Sequence, residues 1–184
     1  MIFGHRKPSS ASLNTLIASA QNGNTEAFGE IYDQYIERVY RFVYFKVGRK
    51  EIAEDLTQDI FMKALENLGK YRNEGSFDAW IFAISRNTVI DYYRTKKGEI
   101  SLDLIREPHA VDNTQHLEIK EEFERVFKVL QDLSEAEQEV IILHSIEQYS
   151  FSEIAGITDR NEEYLRVLKH RALKKLKEEL GYGK

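Results

Sequence analysis

The 184-residue chain contains no cysteine. That excludes disulfide scaffolds, thiolate metal sites and cysteine nucleophiles, and it fits a reducing compartment. Proline is almost as scarce: Pro8 and Pro108 are the whole supply, so long helices can run between them unbroken. No run approaches the roughly 18 consecutive apolar residues of a membrane span. Met1 to Ser12 carries no apolar stretch of the kind a secretion signal needs. A soluble, cytoplasmic protein without a membrane span is expected. Positive charge is also short, with 26 Lys+Arg against 31 Asp+Glu and a formal net charge of -5. As an average, that balance speaks against a nucleic-acid binder.

What the chain does have is helical periodicity. From Thr25, residues Phe28, Ile31, Tyr32, Tyr35, Val39, Phe42 and Val43 recur at spacings of three and four, with Asn24 as N-cap and Gly48 as stop. Ala53, Leu56, Ile60, Ala64 and Leu68 mark a second amphipathic helix that ends near Gly69. Gly75-Ser76 opens a third, with Phe77, Trp80, Ile81 and Ile84 on its inner side and Gly98 at its end. A shorter helix, roughly Ser12 to Gln21, precedes them. The composition then turns acidic and apolar-poor, so residues 98–115 read as a partly disordered linker. Beyond it, Leu117, Phe123, Val126, Phe127 and Leu130 predict a helix. Ser134-x-x-Glu137 and Ser150-x-x-Glu153 are capping boxes, and a last helix from about Arg160 buries Leu165, Leu168, Ala172, Leu176 and Leu180. No run alternates with period two. The expected class is all-α: a tail over 1–11, a helical domain over 12–97, the acidic flexible linker over 98–115, and a second small helical domain over 116–184.

Charge is distributed unevenly along this frame. Residues 70–97 hold six bases and three acids, and residues 164–184 hold seven bases and two acids. Between them, residues 99–139 hold four bases and twelve acids. Two basic helices flanking an acidic middle suit contact with a polyanion at two separated places.

Three constellations carry chemistry. From Ser150 to Ala172, a short capped helix, a tight turn and a longer basic helix have the layout of a helix-turn-helix, whose second helix enters the major groove. Ile154, Ala155, Leu165 and Leu168 fall where the two helices pack. Asp159 sits at the turn, where it tolerates a left-handed backbone better than most residues. Arg160, Asn161, Glu163, Arg166, Lys169 and His170 lie on the groove side. Arg and Asn read base edges, whereas Lys169 and Arg171 suit phosphates. Glu162 and Glu163 oppose phosphate at the leading end.

The second constellation, Tyr71-Arg72-Asn73-Glu74-Gly75-Ser76-Phe77-Asp78-Ala79-Trp80, sets aromatic rings beside cationic groups, as single-stranded bases require. Helical spacing by itself favours a core role for Phe77 and Trp80. The third is an acidic face: Asp55 and Asp59, four residues apart beside Gln58, can dock on a basic partner. A helical metalloenzyme would want Glu-x-x-His pairs. The residues three before His5, His109, His116, His144 and His170 are Ile2, Arg106, Asn113, Ile141 and Val167, so the motif is absent. No metal, cofactor or small-molecule substrate is expected.

In order along the chain, Ala53-Glu54-Asp55-Leu56-Thr57-Gln58-Asp59-Ile60-Phe61, Gly75-Ser76-Phe77-Asp78-Ala79-Trp80-Ile81 and Arg86-Asn87-Thr88-Val89-Ile90-Asp91-Tyr92 closely resemble the second conserved region of extracytoplasmic-function sigma factors of bacterial RNA polymerase. Leu133-Ser134-Glu135-Ala136-Glu137-Gln138-Glu139-Val140, Ser152-Glu153-Ile154-Ala155 and His170-Arg171-Ala172-Leu173-Lys174-Lys175-Leu176 resemble that family's fourth region. The likeness covers roughly residues 20–97 and 117–180. It implies an alternative sigma factor, not an enzyme, that binds core polymerase, recognises the minus-ten and minus-thirty-five promoter elements and promotes melting.

By position, the likeness implies that Asp55, Gln58, Asp59 and Phe61 bind the polymerase. The loop from Tyr71 through Arg72 and Asn73 to Ser76 would receive a flipped minus-ten base, with Phe77, Trp80, Arg86 and Asn87 helping to recognise and open that element. The helix carrying Arg160, Asn161, Glu163, Tyr164, Arg166, Lys169, His170 and Arg171 would lie in the minus-thirty-five groove. Core binding would separate the two domains, whereas an anti-sigma factor, a partner expected from the family, would hold them together. The acidic linker would thread toward the polymerase interior. Two departures bear on promoter preference: Glu163-Tyr164-Leu165 stands where Gly-Thr-Val is frequent, and Thr158-Asp159 where Leu-Gly is common. A regulator that binds duplex DNA without polymerase is the competing class, and it would need neither the aromatic loop nor the acidic face.

Overall fold

Residues 10–72, 76–97 and 117–181 are described by a computed structural model. The 98–115 linker, the first nine residues and Asn73 lie outside them. Eight α-helices follow in order: α1 Ser10–Gln21, α2 Thr25–Val47, α3 Lys50–Asn67, α4 Phe77–Lys97, α5 Leu117–Gln131, α6 Glu135–Ile141, α7 Phe151–Thr158 and α8 Glu162–Leu180. No strand occurs among the described residues, so the chain is all-α, as expected.

Local chemistry sets the helix ends. Asn24 accepts from the backbone N–H groups of Glu26 and Ala27 at 3.0 and 3.1 Å. Gly48 closes α2 in the left-handed region at φ 73, a conformation that glycine adopts without steric penalty. Ser134 and Ser150 form complete capping boxes with Glu137 and Glu153. Asp159 is left-handed at φ 54, the geometry expected at the turn. The last helix begins two residues later than its periodicity predicts. Asn161 caps it by accepting from Tyr164 N at 2.7 Å, which leaves Arg160 in the turn.

The apolar stripes meet as anticipated in the N-terminal bundle. Ile31, Tyr35, Val39 and Phe42 of α2 pack with Ala53, Ile60 and Ala64 of α3 and with Ile81, Phe82 and Val89 of α4. Trp80 and Ile84, expected inside, are only half-buried, and Phe82 takes the fully buried position. In the C-terminal bundle Ile142, Leu143, Ile154, Leu165 and Ala172 form the centre. Leu180 is only half-buried at the last residue of α8, which left-handed Gly181 closes at φ 78.

A five-residue π-helical turn, Ile142–Ile146, interrupts the path from α6 to α7. Gln148 follows at φ 61, a positive value seldom taken by a side-chain-bearing residue. Together these bends turn Glu147 and Tyr149 out of the C-terminal bundle and into the surface of α2 and α4.

Candidate nucleic-acid interface

On α3, Asp55, Gln58 and Asp59 are all exposed on one face. Met62 and Leu65 extend it, 57% and 46% exposed, two apolar residues that helical pattern reading missed because their spacing from Asp55 places them off the core stripe. Phe61 does not join this face. Its ring is buried, with its centroid 4.6 Å from that of Tyr32, so it braces α3 against α2.

The aromatic segment before α4 is gathered into one cluster. Ring centroids of Tyr71, Phe77 and Trp80 lie 5.2 to 5.5 Å apart. Tyr71 and Phe77 are buried, and Phe77 also meets Tyr35 edge-on at 5.2 Å. Only Trp80 keeps a partly accessible ring, so the stacking surface is narrower than three aromatics would provide. Arg72, Ser76 and Asn87 are exposed.

Arg86 points elsewhere. Its Nε donates to Glu139 Oε1 at 2.9 Å, across to α6 of the other bundle. Arg160 Nη1 donates to the second oxygen of the same carboxylate at 2.8 Å. The side chain of Glu139 is 1% exposed, and those of its two partners 22% and 24%. Lys46 is buried close by and donates to Glu135 O at 3.3 Å; burial holds its ammonium below the usual lysine range. Both side chains are thus bound to one buried acid of α6, Arg86 from across the bundles and Arg160 from within its own bundle.

A second polar cluster adjoins the first. Arg38 Nη1 donates to Asp78 Oδ1 at 2.8 Å and its Nε to Glu147 Oε2 at 3.2 Å. Its Nη2 donates to the Tyr149 hydroxyl. Arg41 Nε reaches the other oxygen of Glu147 at 2.6 Å. Asp78 also accepts from the hydroxyls of Tyr149 at 2.6 Å and Tyr35 at 3.1 Å. Burial alone would raise the pKa of Asp78, but the Tyr149 hydrogen bond and the Arg38 guanidinium outweigh it and hold the carboxyl below its ordinary value.

On α8, Glu163, Tyr164, His170 and Arg171 are exposed. Arg166 pairs with Glu162 at 2.7 Å, so one of the two uncomfortable leading acids is neutralised within the helix. Arg166 and Lys169 both lie over the ring of Phe151, at 5.1 and 5.8 Å, which ties the second helix of the motif to the first. The outer face of α8 thus keeps positive charge and an exposed tyrosine, with the Asn161 amide at its entry engaged as the cap.

The comparisons agree on family. The family model for Sigma-70 region 2 matches residues 31–99, and that for Sigma-70 region 4 matches residues 129–178. The ECF RNA polymerase sigma factor BldN of Streptomyces coelicolor is 32% identical over 181 residues, covering 94% of this chain and 69% of the relative. The ECF RNA polymerase sigma factor SigM of Bacillus subtilis is 31% identical, covering 80% of this chain and 91% of the relative. Among solved structures, CnrH in complex with the cytosolic domain of CnrY superposes with a TM-score of 0.75 at 24% identity, covering 94% of this chain and 99% of that one. RpoE bound to the anti-sigma factor NepR from Bartonella quintana gives 0.72 at 24% identity, covering 85% and 98%. These two structural likenesses speak to the fold.

Proposed function

The chain belongs to the extracytoplasmic-function family of RNA polymerase sigma factors and is an alternative sigma factor for transcription initiation; from that premise we propose how its surfaces divide the work. The observation that carries the reading is the pairing, on one chain, of an exposed acidic face on α3 with an exposed basic face on α8. Residues 12–97 form the unit that binds core polymerase and the minus-ten element, and residues 116–184 the unit that binds the minus-thirty-five element.

Asp55, Gln58 and Asp59, with Met62 and Leu65 beside them, present a carboxylate and apolar surface suited to a basic, partly apolar helical partner on the polymerase. Trp80 supplies the ring for an unstacked minus-ten base, with Arg72, Ser76 and Asn87 around it and Arg86 on the adjoining phosphates. Asn161, Tyr164, Arg166, His170 and Arg171 face the minus-thirty-five groove, with Arg160 and Lys169 at its edges. The protein contributes no catalytic group, and its place is the cytoplasm with the polymerase. An anti-sigma factor is the proposed regulatory partner, a role that NepR plays for the similar RpoE.

Run-off transcription with sigma-free core polymerase and a library of promoter fragments tests the reading. Transcripts that depend on the added protein are expected; no transcript, together with no binding to core, would overturn it. The Asp55→Ala, Asp59→Ala double variant should weaken core binding by about tenfold while its thermal unfolding stays unchanged. Unchanged affinity would remove the α3 face from the core contact.

A further inference from the structure

The last residue of α1 reaches across the N-terminal bundle to the base of the aromatic cluster. Gln21 Nε2 donates to Leu68 O at 2.9 Å and to Tyr71 O at 2.8 Å, partners 47 and 50 residues further along the chain. We propose that Gln21 is a positioning residue for minus-ten recognition: through the backbone of Tyr71 it sets the support behind the Trp80 ring and the direction in which Arg72 leaves the bundle. The proposal rests on the assignment of Trp80 and Arg72 to the minus-ten strand.

The two bonds fall where the backbone changes course. A 3-10 turn, Leu68–Lys70, extends α3, and Tyr71 ends it in extended conformation at φ -64 and ψ 122. Carbonyls at such a helix end have no helical donor ahead of them. Leu68 O accepts from Tyr71 N at 3.0 Å, which closes the turn. The Gln21 amide adds a second bond to that oxygen and takes hold of the Tyr71 carbonyl as well. A primary amide nitrogen carries two N–H donors, and both are used here. Because both neighbours are carbonyl oxygens, the nitrogen and not the oxygen of the amide must face them. One side chain thus ties the start and the end of the turn to α1.

Gln21 is itself held in place. Leu13 and Ile17 bury α1 in the core. Left-handed Gly23, at φ 91, turns the chain back, and Asn24 N donates to Ser19 O at 3.2 Å before its side chain caps α2. On the other side of the contact, the Tyr71 ring meets Trp80 at 5.2 Å and Phe77 at 5.5 Å. The backbone of Trp80 is anchored separately, with its N–H donating to Ser76 O at 3.2 Å. A shift of Tyr71 therefore changes what lies behind the indole and leaves the start of α4 where it is. The peptide whose oxygen Gln21 grips is also the one that joins Tyr71 to Arg72. Gln21 is exposed, so water can replace its amide on both carbonyls and folding loses little without it. Water, however, does not tie the turn to α1.

Trp80 is the only tryptophan of the chain, so its fluorescence reads the cluster directly. In the full-length protein, Gln21→Leu keeps the bulk and removes both donors, whereas Gln21→Lys offers donors to the same carbonyls again. Gln21→Leu should shift the Trp80 emission to the red and steepen its quenching by acrylamide. With core polymerase, it should bind the non-template single strand of a promoter recovered from the run-off library about tenfold more weakly, the size of one impaired base stack. Gln21→Lys should recover both readings. Thermal unfolding and affinity for core should match the wild type in both variants.

Emission and quenching unchanged in Gln21→Leu would overturn the proposal, whatever strand binding does. So would a loss that Gln21→Lys fails to recover, or one that appears equally in core affinity and thermal midpoint, since either would make Gln21 a general brace of the bundle. Trp80→Ala separates the positioning role from the reading on which it rests. Strand binding unaffected by Trp80→Ala would remove that ring from promoter contact, and the emission of Gln21→Leu would still decide whether the amide holds the ring in place.

Discussion

Asp78 is the residue on which the polar contacts of α4 converge, since it accepts from Arg38, Tyr35 and Tyr149 at once. Asp78→Asn keeps the shape but removes the charge opposite a largely buried guanidinium, and should cost about 2–4 kcal/mol at neutral pH in urea unfolding. The pH dependence has a definite sign. The folded pKa of Asp78 is depressed, so its stabilising contribution is complete above the unfolded carboxylate value of about 4 and fades as pH falls through the folded value. The gap between wild type and variant should therefore be widest near pH 7 and shrink below about pH 4, where the wild-type residue also becomes neutral. A constant gap across that range would assign the loss to geometry and not to charge. At this scale the sequence was only half legible. Helical period placed Asp55, Gln58 and Asp59 outside and Ile60 inside correctly. It also placed Phe77 inside, where it is buried against Tyr35. It could not settle Phe61, whose side is decided by packing against Tyr32, or Tyr71, which lies outside the helices and packs on Phe77. The pairing of Arg86 with Glu139, 53 residues away, has no local signal at all.

At the scale of the element, terminus chemistry was the readable part. Asn24, Gly48, Ser134, Ser150 and Asp159 all perform the capping or turn roles that their types predict, because those roles depend on neighbours within four residues. The two capping boxes nevertheless differ in reach. Both glutamates close their boxes, and Glu137 in addition accepts from Lys175 Nζ of α8 at 2.8 Å, which holds its carboxyl below the ordinary range against the effect of burial. Ser150→Ala should cost about 1 kcal/mol, the usual value of an N-cap. Ser134→Ala should cost more, since loosening Glu137 also weakens the grip of α6 on α8. Thermal unfolding of the two variants side by side checks the order, and equal losses would show that the Lys175 contact contributes nothing through the cap. The π-helical turn was not legible, because Ile142-Leu143-His144-Ser145-Ile146 satisfies helical periodicity equally well as plain α-helix.

For the molecule as a whole, the net charge of -5 conceals two populations of cations with opposite exposure. Arg38, Arg41 and Arg86 of the N-terminal bundle meet Glu147 and Glu139 of the C-terminal one, carboxylates whose side chains are fully or almost fully buried. Arg171, Lys174 and Lys177 stand exposed on α8. Salt screens exposed charges far more than buried pairs, so the two populations should respond differently to ionic strength. Between about 50 and 200 mM monovalent salt, affinity for a promoter fragment should fall steeply, as counterion release requires, and Arg171→Ala should lower the log–log slope by about one. Over the same range the radius of gyration of the free protein should stay nearly constant, because the pairs between the bundles are shielded from the solvent ions. Small-angle scattering and a binding titration on one preparation give both curves. If the protein expanded in parallel with the loss of DNA affinity, the pairs that hold the bundles together would be solvent-accessible, and closure would be only as strong as an exposed salt bridge, worth less than about 1 kcal/mol.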